Sequence, residues 1–480
     1  MTTAANTLTA ATGRQSKFFF GWWVVAAGFI IMATCYTVFI NCMSLFQAYI
    51  VSDLNTTMSA FNLSNTCASV ASVVGALFVG TFVDKYPGRV LGAVGVITTA
   101  VVLVLMSQVT AVWQLYVLFT VVGIVALAGL RLLISIIVTN WFTLKRGLAV
   151  SIALAGSGFG GAILSPVAGV FIVNYGWRPA LVLLAVVVLV AALPLVLYSF
   201  YSHPQDRGLE PYGAHQIEAG TKADKSPDKM VDVAVGWKAV KSSPSFWLLV
   251  VGFVAMGIVN GAVLPNQVTN MTQVKLAGDV IVTGGHTTLW ASGVLSLYMV
   301  TVVVAKISLG AIYDRFGLNA GNIFGTVACC VATVALCFPQ TDIGPIVAAI
   351  AFGIGTCMGT VAPPISTVKQ YGIKDLGKIT GIVTSVEMVS YAAATLMSGT
   401  LFDMYHSFAP MWIICLVCSV VMGVTLVASR ATSGKLIEKC RTAGAPKVDA
   451  SGNVIEEIAE EAEAIDAAGL SPKAQKDVLD

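Results

Sequence analysis

Three charged side chains sit inside apolar runs of this 480-residue chain, where each needs a reason to be tolerated. Arg131 lies in "ALAGLRLLISIIV", Lys306 in "VVVAKISLGAIYDRFG" and Glu387 in "GIVTSVEMVSYAAA". Two cations and one carboxyl can do specific chemistry: the cations bind an anion, and the carboxyl carries a proton or holds an ammonium. A charge at the centre of a bilayer costs about 2.5–3.5 kcal/mol on insertion scales. All three are therefore expected to face a central cavity, pairing with one another, with water or with a solute. Lys306 is expected to meet Glu387 or an anionic ligand. Two blander roles stay open: a fixed Lys306–Glu387 ion pair that only ties two helices together, and an Arg131 that snorkels or bonds backbone carbonyls.

Depth follows from position. Lys306 precedes Asp314 by eight residues, Arg131 precedes Trp141 by ten, and Glu387 follows Lys378 by nine. At about 1.5 Å per helical residue each lies roughly 12–15 Å from one boundary, half of a core near 30 Å. The three stand at one level. The formal sum is two positive charges and one negative, which suits a monoanion. A zwitterion is the alternative, its carboxylate on Lys306 or Arg131 and its amine on Glu387. A proton on Glu387 frees the cations for a substrate, so proton coupling is a further option.

The elements that hold these groups are membrane helices. The chain is 57% hydrophobic and 11% charged, with a mean hydropathy of +0.84, whereas a soluble domain carries roughly a quarter charged residues. Hydropathy predicts twelve spans, at about 20–48, 60–83, 90–109, 112–139, 147–173, 179–200, 245–271, 286–312, 320–338, 344–368, 379–402 and 409–429. The fold class expected is an all-α membrane protein of two pseudo-symmetric six-helix bundles, 18–200 and 245–430. A polar N-terminal tail (1–17), a linker (201–244) and a polar C-terminal tail (431–480) complete it. The acidic "EEIAEEAEAIDAAGL" in the last reads as solvated or disordered. The first apolar run is too long for a cleaved signal peptide. Lys85, Arg89, Lys145, Arg146, Arg315, Lys374 and Lys378 fall on one side, and Arg178 and Lys275 on the other. That bias places both termini and the linker inside a cytoplasmic membrane. Most cysteines sit singly in apolar runs and read as packing residues, with no metal site.

An internal repeat supports the two halves. "GTFVDKYPG" (80–88) is echoed by "GAIYDRFG" (310–317), "GWRPA" (176–180) by "SFAPM" (407–411), and "AGFIIM" (27–32) by "VGFVAM" (251–256). Such repeats place a binding site at the midplane between the halves. Asp84 and Asp314 sit at helix ends, where they can cap neighbouring helix N-termini or pair with loop arginines. Tyr36 falls opposite Asn260 under the repeat. Asn41, Asn266, Gln267 and Tyr391 lie in the same set of spans and are further candidates to orient a ligand, or to bond helix to helix. Trp141 and Trp177, near span ends, read as interfacial anchors. "APP" at 362–364 predicts a kink in the tenth span.

Six plus six spans with G-x-x-x-D-[KR] in both halves resembles the major facilitator superfamily. The motif covers Gly80, Asp84, Lys85, Gly88 and Arg89 in the first half and Gly310, Asp314 and Arg315 in the second. "NWFTLKRGLAVSIALAGSGFGGAILSP" (140–166) and "HPQDRGLEPYG" (203–213) are similar to the monocarboxylate transporter and oxalate:formate antiporter families. The resemblance covers about 18–430. It implies alternating access governed by the paired motifs, and a site on spans one, seven and eleven and on span eight. In the antiporter family the eighth span reads R-x-x-x-G-x-x-x-D-R and the eleventh carries a lysine, the two clamping a dicarboxylate. Here Lys306 stands for that arginine and Glu387 for that lysine. A lysine lacks the arginine's bidentate fork, and one clamp cation has become an anion, so oxalate itself is not the expected ligand. Gly147, Gly156 and Gly160 match part of an antiporter glycine motif and predict close helix contact.

The resemblance thus implies a monomeric secondary transporter of a small organic anion, monocarboxylate-like, by symport or antiport, in contact with the lipid bilayer and with no cofactor or nucleic-acid partner. A G-x-x-x-x-G-K-[ST] loop and an H-E-x-x-H pair are both absent from the sequence, which argues against an ATP-driven pump and a zinc enzyme. A non-transporting membrane sensor on the same fold is the alternative of a different class.

Overall fold

In lipid every backbone N–H and C=O must be bonded within the chain, which leaves long apolar runs the helix. The computed structural model describes residues 19–142, 146–212, 235–276, 279–372 and 375–442, and they are almost wholly helical. Twelve long helices follow in order. The first six are α1 (Gly21–Asp53), α2 (Met58–Lys85), α3 (Gly88–Met106), α4 (Val112–Trp141), α5 (Arg146–Tyr175) and α6 (Trp177–Ser199). The second six are α7 (Pro244–Met271), α8 (Thr288–Phe316), α9 (Leu318–Leu336), α10 (Ile343–Tyr371), α11 (Leu376–Tyr405) and α12 (Ala409–Thr442). All but α2 are long and apolar enough over their described residues to cross a membrane. α2, with 28 residues, has the length for it at about 1.5 Å per residue.

Three details depart from the sequence expectations. α12 continues past Arg430 to Thr442. A hairpin of β1 (Gln273–Leu276) and β2 (Asp279–Val282) joins α7 to α8 in the register Gln273↔Val282. Trp141 is fully buried rather than an interfacial anchor. Its Nε1 donates to the Tyr201 carbonyl at 2.8 Å, and Tyr212 N donates to the Trp141 carbonyl at 2.9 Å, because the start of the linker folds back over the end of α4. Trp177 is buried as well, with the Arg178 guanidinium 4.5 Å above its ring. The N-terminal tail, most of the linker and the acidic C-terminal tail lie outside the described residues.

Within each bundle a glycine pair four residues apart lets two helices touch along their backbones, as small residues do where no hydrophobic drive separates helix from lipid. A methyl at Gly156 or Gly160 of α5 would meet the carbonyls of Phe29 or Ala33 of α1. One at Gly257 or Gly261 of α7 would meet those of Glu387 or Tyr391 of α11. The second pair fixes the helix that carries Glu387.

The bundles meet through α1 with α7, α2 with α11 and α5 with α8. Their contacts gather on the face away from the linker. There Gln47 Nε2 donates to Asn62 Oδ1 at 2.9 Å and to Asn266 Oδ1 at 3.1 Å, and Asn266 Nδ2 donates to Ser398 Oγ at 2.7 Å, all four residues fully buried. The Asp403 carboxylate of α11 accepts from the backbone N–H of Met58 at 2.9 Å and of Ser59 at 2.8 Å. It thereby caps α2 of the other bundle, a negative charge at the positive end of a helix dipole. Along α8, Ser292, Met299 and Val303 press on the α5 glycines, yet a methyl at Gly310 would meet nothing within 4 Å. Along α11, Gly399 presses on Met58 and Ser59, while Gly377 and Gly381 have open space. The two bundles are thus closed on the far face and splay toward the linker face.

Candidate functional site

Arg131 sits ten residues from Trp141 at the end of α4, Lys306 ten from Phe316 in α8, and Glu387 eleven from Leu376 in α11. Each charge thus lies ten or eleven residues inside its helix from the end nearest the linker face. Two of the helices are wound loosely at this level. Gly123–Leu130, immediately before Arg131, is π-helical, as are Met32–Tyr36 and Val38–Cys42 of α1. π segments re-aim side chains and recur at functional sites. At the start of the α4 segment Gly123 lies against the backbone of Ala68 so closely that a methyl would overlap its carbonyl.

Arg131 is half-buried, and its guanidinium makes no hydrogen bond or ion pair among the described residues. Lys306 is half-buried. Its electrostatic neighbours are the Cys357 thiol and the Arg131 cation, and no carboxylate lies within 4.0 Å among the described residues. Two like charges therefore act on each other across the midplane, one from each bundle.

Glu387 is buried at 7% exposure. The expected Lys306–Glu387 contact is not made. Docking of α11 on the α7 glycines turns the carboxyl toward α7 and α10, where Oε1 lies against Gly359 and beside Asn260 Nδ2. Asn260 is its hydrogen-bond partner, and Arg131 is the cation whose field reaches it. Asn260 is oriented in turn: Thr356 Oγ1 donates to its Oδ1 at 3.0 Å. That leaves the amide nitrogen to face the carboxylate. The Tyr298 hydroxyl lies beside Thr356. Tyr298, Thr356, Asn260 and Glu387 thus stand side by side, from α8, α10, α7 and α11. Tyr36 and Tyr391 stand close to each other and to Tyr298.

The enabling feature is a break in α10. Its helix stops at Gly355 and restarts at Met358, with i−3 bonds from Cys357 N to Ile354 O and from Gly359 N to Thr356 O. Pro363 and Pro364 lack the N–H groups that would bond the carbonyls of Gly359 and Thr360, so the kink expected from "APP" spreads one turn back. The turn sends Thr356 toward Asn260 and Cys357 toward Lys306. Broken helices of this kind line binding sites in carriers.

Other sequence candidates divide. Asn41 is spent on the Ser157 carbonyl at 3.4 Å, and Asn266 belongs to the far-face amide cluster. In the first repeated motif, Gly88 N donates to Ser202 Oγ at 2.7 Å. Arg89 lies 4.0 Å over the Tyr201 ring and reaches the Tyr198 carbonyl, while Lys85 is exposed over Tyr86. In the second, Arg315 is exposed beside Phe316. The side chains of Asp84 and Asp314, and the surroundings of Gly80, lie outside the described residues. Sequence reasoning missed Tyr298, Thr356 and Gly359, which carry no charge to draw notice. It also missed Lys369, set at a span end but buried, whose Nζ donates to the Tyr313 carbonyl at 2.9 Å.

Charges and phenols gathered at mid-depth, between two bundles closed on one face and parted on the other, define a membrane carrier of small solutes. The chain belongs to the Major Facilitator Superfamily, whose sequence model matches residues 26–395. It is similar to Monocarboxylate transporter 12 of Rattus norvegicus, 23% identical over 435 residues that cover 85% of this chain and 86% of that protein. Among solved structures it is similar to nucleoside transporter NupG, with a TM-score of 0.59 at 13% identity over 86% of this chain and 99% of that one. It is also similar to a bacterial homologue of the human lysosomal transporter Spinster in its inward-facing, unoccupied conformation. That match has a TM-score of 0.57 at 14% identity over 89% of this chain and 98% of that one. These likenesses establish a multi-pass membrane transporter with a small-molecule substrate.

Proposed function

We propose that this transporter moves a small organic monoanion across the cytoplasmic membrane by alternating access, with Arg131 and Lys306 binding the anionic group and Glu387 carrying a proton. The observation that carries the reading is the pair of mid-depth cations, on opposite bundles, that act on each other with no carboxylate within 4.0 Å of either among the described residues. The two cations carry one positive charge more than an ionised Glu387 offsets, so an anion that joins them is favoured, and an anion bound by both halves draws the halves together. The likeness to a monocarboxylate transporter supports a carboxylate as that anion. Glu387 sits in the field of Arg131. Protonating it removes a negative charge near the anion site, so binding strengthens as pH falls. Tyr36, Tyr391 and Asn260 orient the ligand or its neighbours.

With the linker face cytoplasmic, as the clustering of Lys and Arg supports, the conformation described is open to the inside. The paired motifs around Gly80–Arg89 and Gly310–Arg315 then close that face in the opposite state. The separation of Glu387 from Lys306 favours one second reading, a zwitterionic solute with its ammonium on Glu387. Uptake of labelled monocarboxylates, dicarboxylates and amino acids into proteoliposomes, at two pH values, separates the readings. Uptake of a dicarboxylate alone, or of none, refutes both.

A further inference from the structure

We propose that Gly359 and Thr356, two uncharged residues at the break in α10, are positioning residues that hold the Glu387 carboxyl in the orientation needed to exchange its proton. The inference rests on the reading of Glu387 as proton carrier.

The geometry is specific. Gly359 has no side chain where a methyl would overlap Glu387 Oε1 and stand 2.9 Å from Asn260 Nδ2, so any larger residue displaces the carboxyl, the amide or both. Thr356 Oγ1, 3.0 Å from Asn260 Oδ1, decides which end of that amide faces the acid. In this arrangement Asn260 offers Glu387 a donor, the partner of an ionised carboxylate. With Thr356 unable to donate, the amide is free to turn and offer its carbonyl, the partner of a protonated acid. One hydroxyl thus sets which protonation state its neighbour favours. The groups facing the carboxyl are Arg131 from α4, Asn260 from α7 and Gly359 from α10, with Tyr298 of α8 behind Thr356. Tyr391, one turn along α11, faces Tyr36 of α1, and Lys306 lies across the break beside Cys357.

The test is a double-mutant comparison in proteoliposomes, with proton-driven uptake and labelled-substrate exchange both read. Gly359→Ala alone should lower proton-driven uptake roughly tenfold or more. In the Glu387→Gln background it should change exchange by no more than about twofold, because the positioned group is gone. Thr356→Val, which keeps volume and removes the donor, should move the pH profile of uptake, and Thr356→Ser should restore it. An equal loss of exchange from Gly359→Ala with and without Glu387 assigns the glycine to packing alone and overturns the inference. So does an unmoved pH profile in Thr356→Val. If instead Glu387→Gln by itself keeps the pH dependence, the proton-carrier reading fails first and takes this inference with it.

Discussion

Replacing Lys306 by methionine separates a binding lysine from a structural one, because the two roles predict opposite signs for the empty protein. The substitution keeps side-chain length and removes a charge that costs about 2.5–3.5 kcal/mol at this depth on insertion scales. It also removes the repulsion from Arg131. No hydrogen bond or ion pair to the ammonium is lost among the described residues. The ligand-free variant should therefore melt at the same temperature as the wild type or a few degrees higher. Binding should suffer in contrast. A hydrogen bond to a charged group contributes roughly 1.5–3 kcal/mol, so affinity for the anion should fall about 10- to 150-fold. Thermal melting of purified protein, with and without ligand, reads both quantities in one assay. A ligand-free variant that melts well below the wild type while its affinity is kept would refute the reasoning and make the lysine a tie between helices.

Three further outcomes are expected. Glu387→Gln should give pH-independent binding at the affinity the wild type reaches in acid, and should retain exchange while losing proton-driven uptake, as followed with labelled substrate. Arg131→Ala should weaken anion affinity by a factor similar to Lys306→Met, and the double variant should lose less than the product if one carboxylate bridges both groups, as isothermal titration would measure. Asp403→Asn removes the charge that caps α2 from across the far face and one of the two acceptor oxygens. It should shift the equilibrium toward opening on that face about tenfold, read by labelling of single cysteines placed at either face.

How much of this was legible beforehand depends on what each residue spends its character on. Charges in lipid are costly in any context, so Arg131, Lys306 and Glu387 stood out, and counting residues to the nearest polar boundary set their common depth. Glycines that admit a neighbouring helix were visible as spacing, and Gly156 and Gly160 pack as that spacing implied. What escaped was decided by tertiary contact. The partner of Glu387 depends on the rotation of α11, fixed by backbone contact at Gly257 and Gly261 rather than by the attraction of Lys306. Thr356 and Tyr298 look like any polar residue bonded between helices until the broken turn of α10 brings them to the acid. Trp141 has the position of an interfacial anchor, and only the fold-back of 200–212 buries it. The π-helical stretch before Arg131 begins at Gly123, packed on the Ala68 backbone, a neighbour 55 residues earlier that no local pattern reveals.

The central claim, that two midplane cations from opposite bundles receive a carboxylate, is tested most directly by ligand-induced stabilisation across mono-, di- and zwitterionic carboxylates at two pH values. Monocarboxylates should raise the melting temperature more strongly in acid, and both Lys306→Met and Arg131→Ala should diminish the rise at a given ligand concentration. Stabilisation undiminished in both variants, or that only uncharged or cationic solutes produce, would contradict the account.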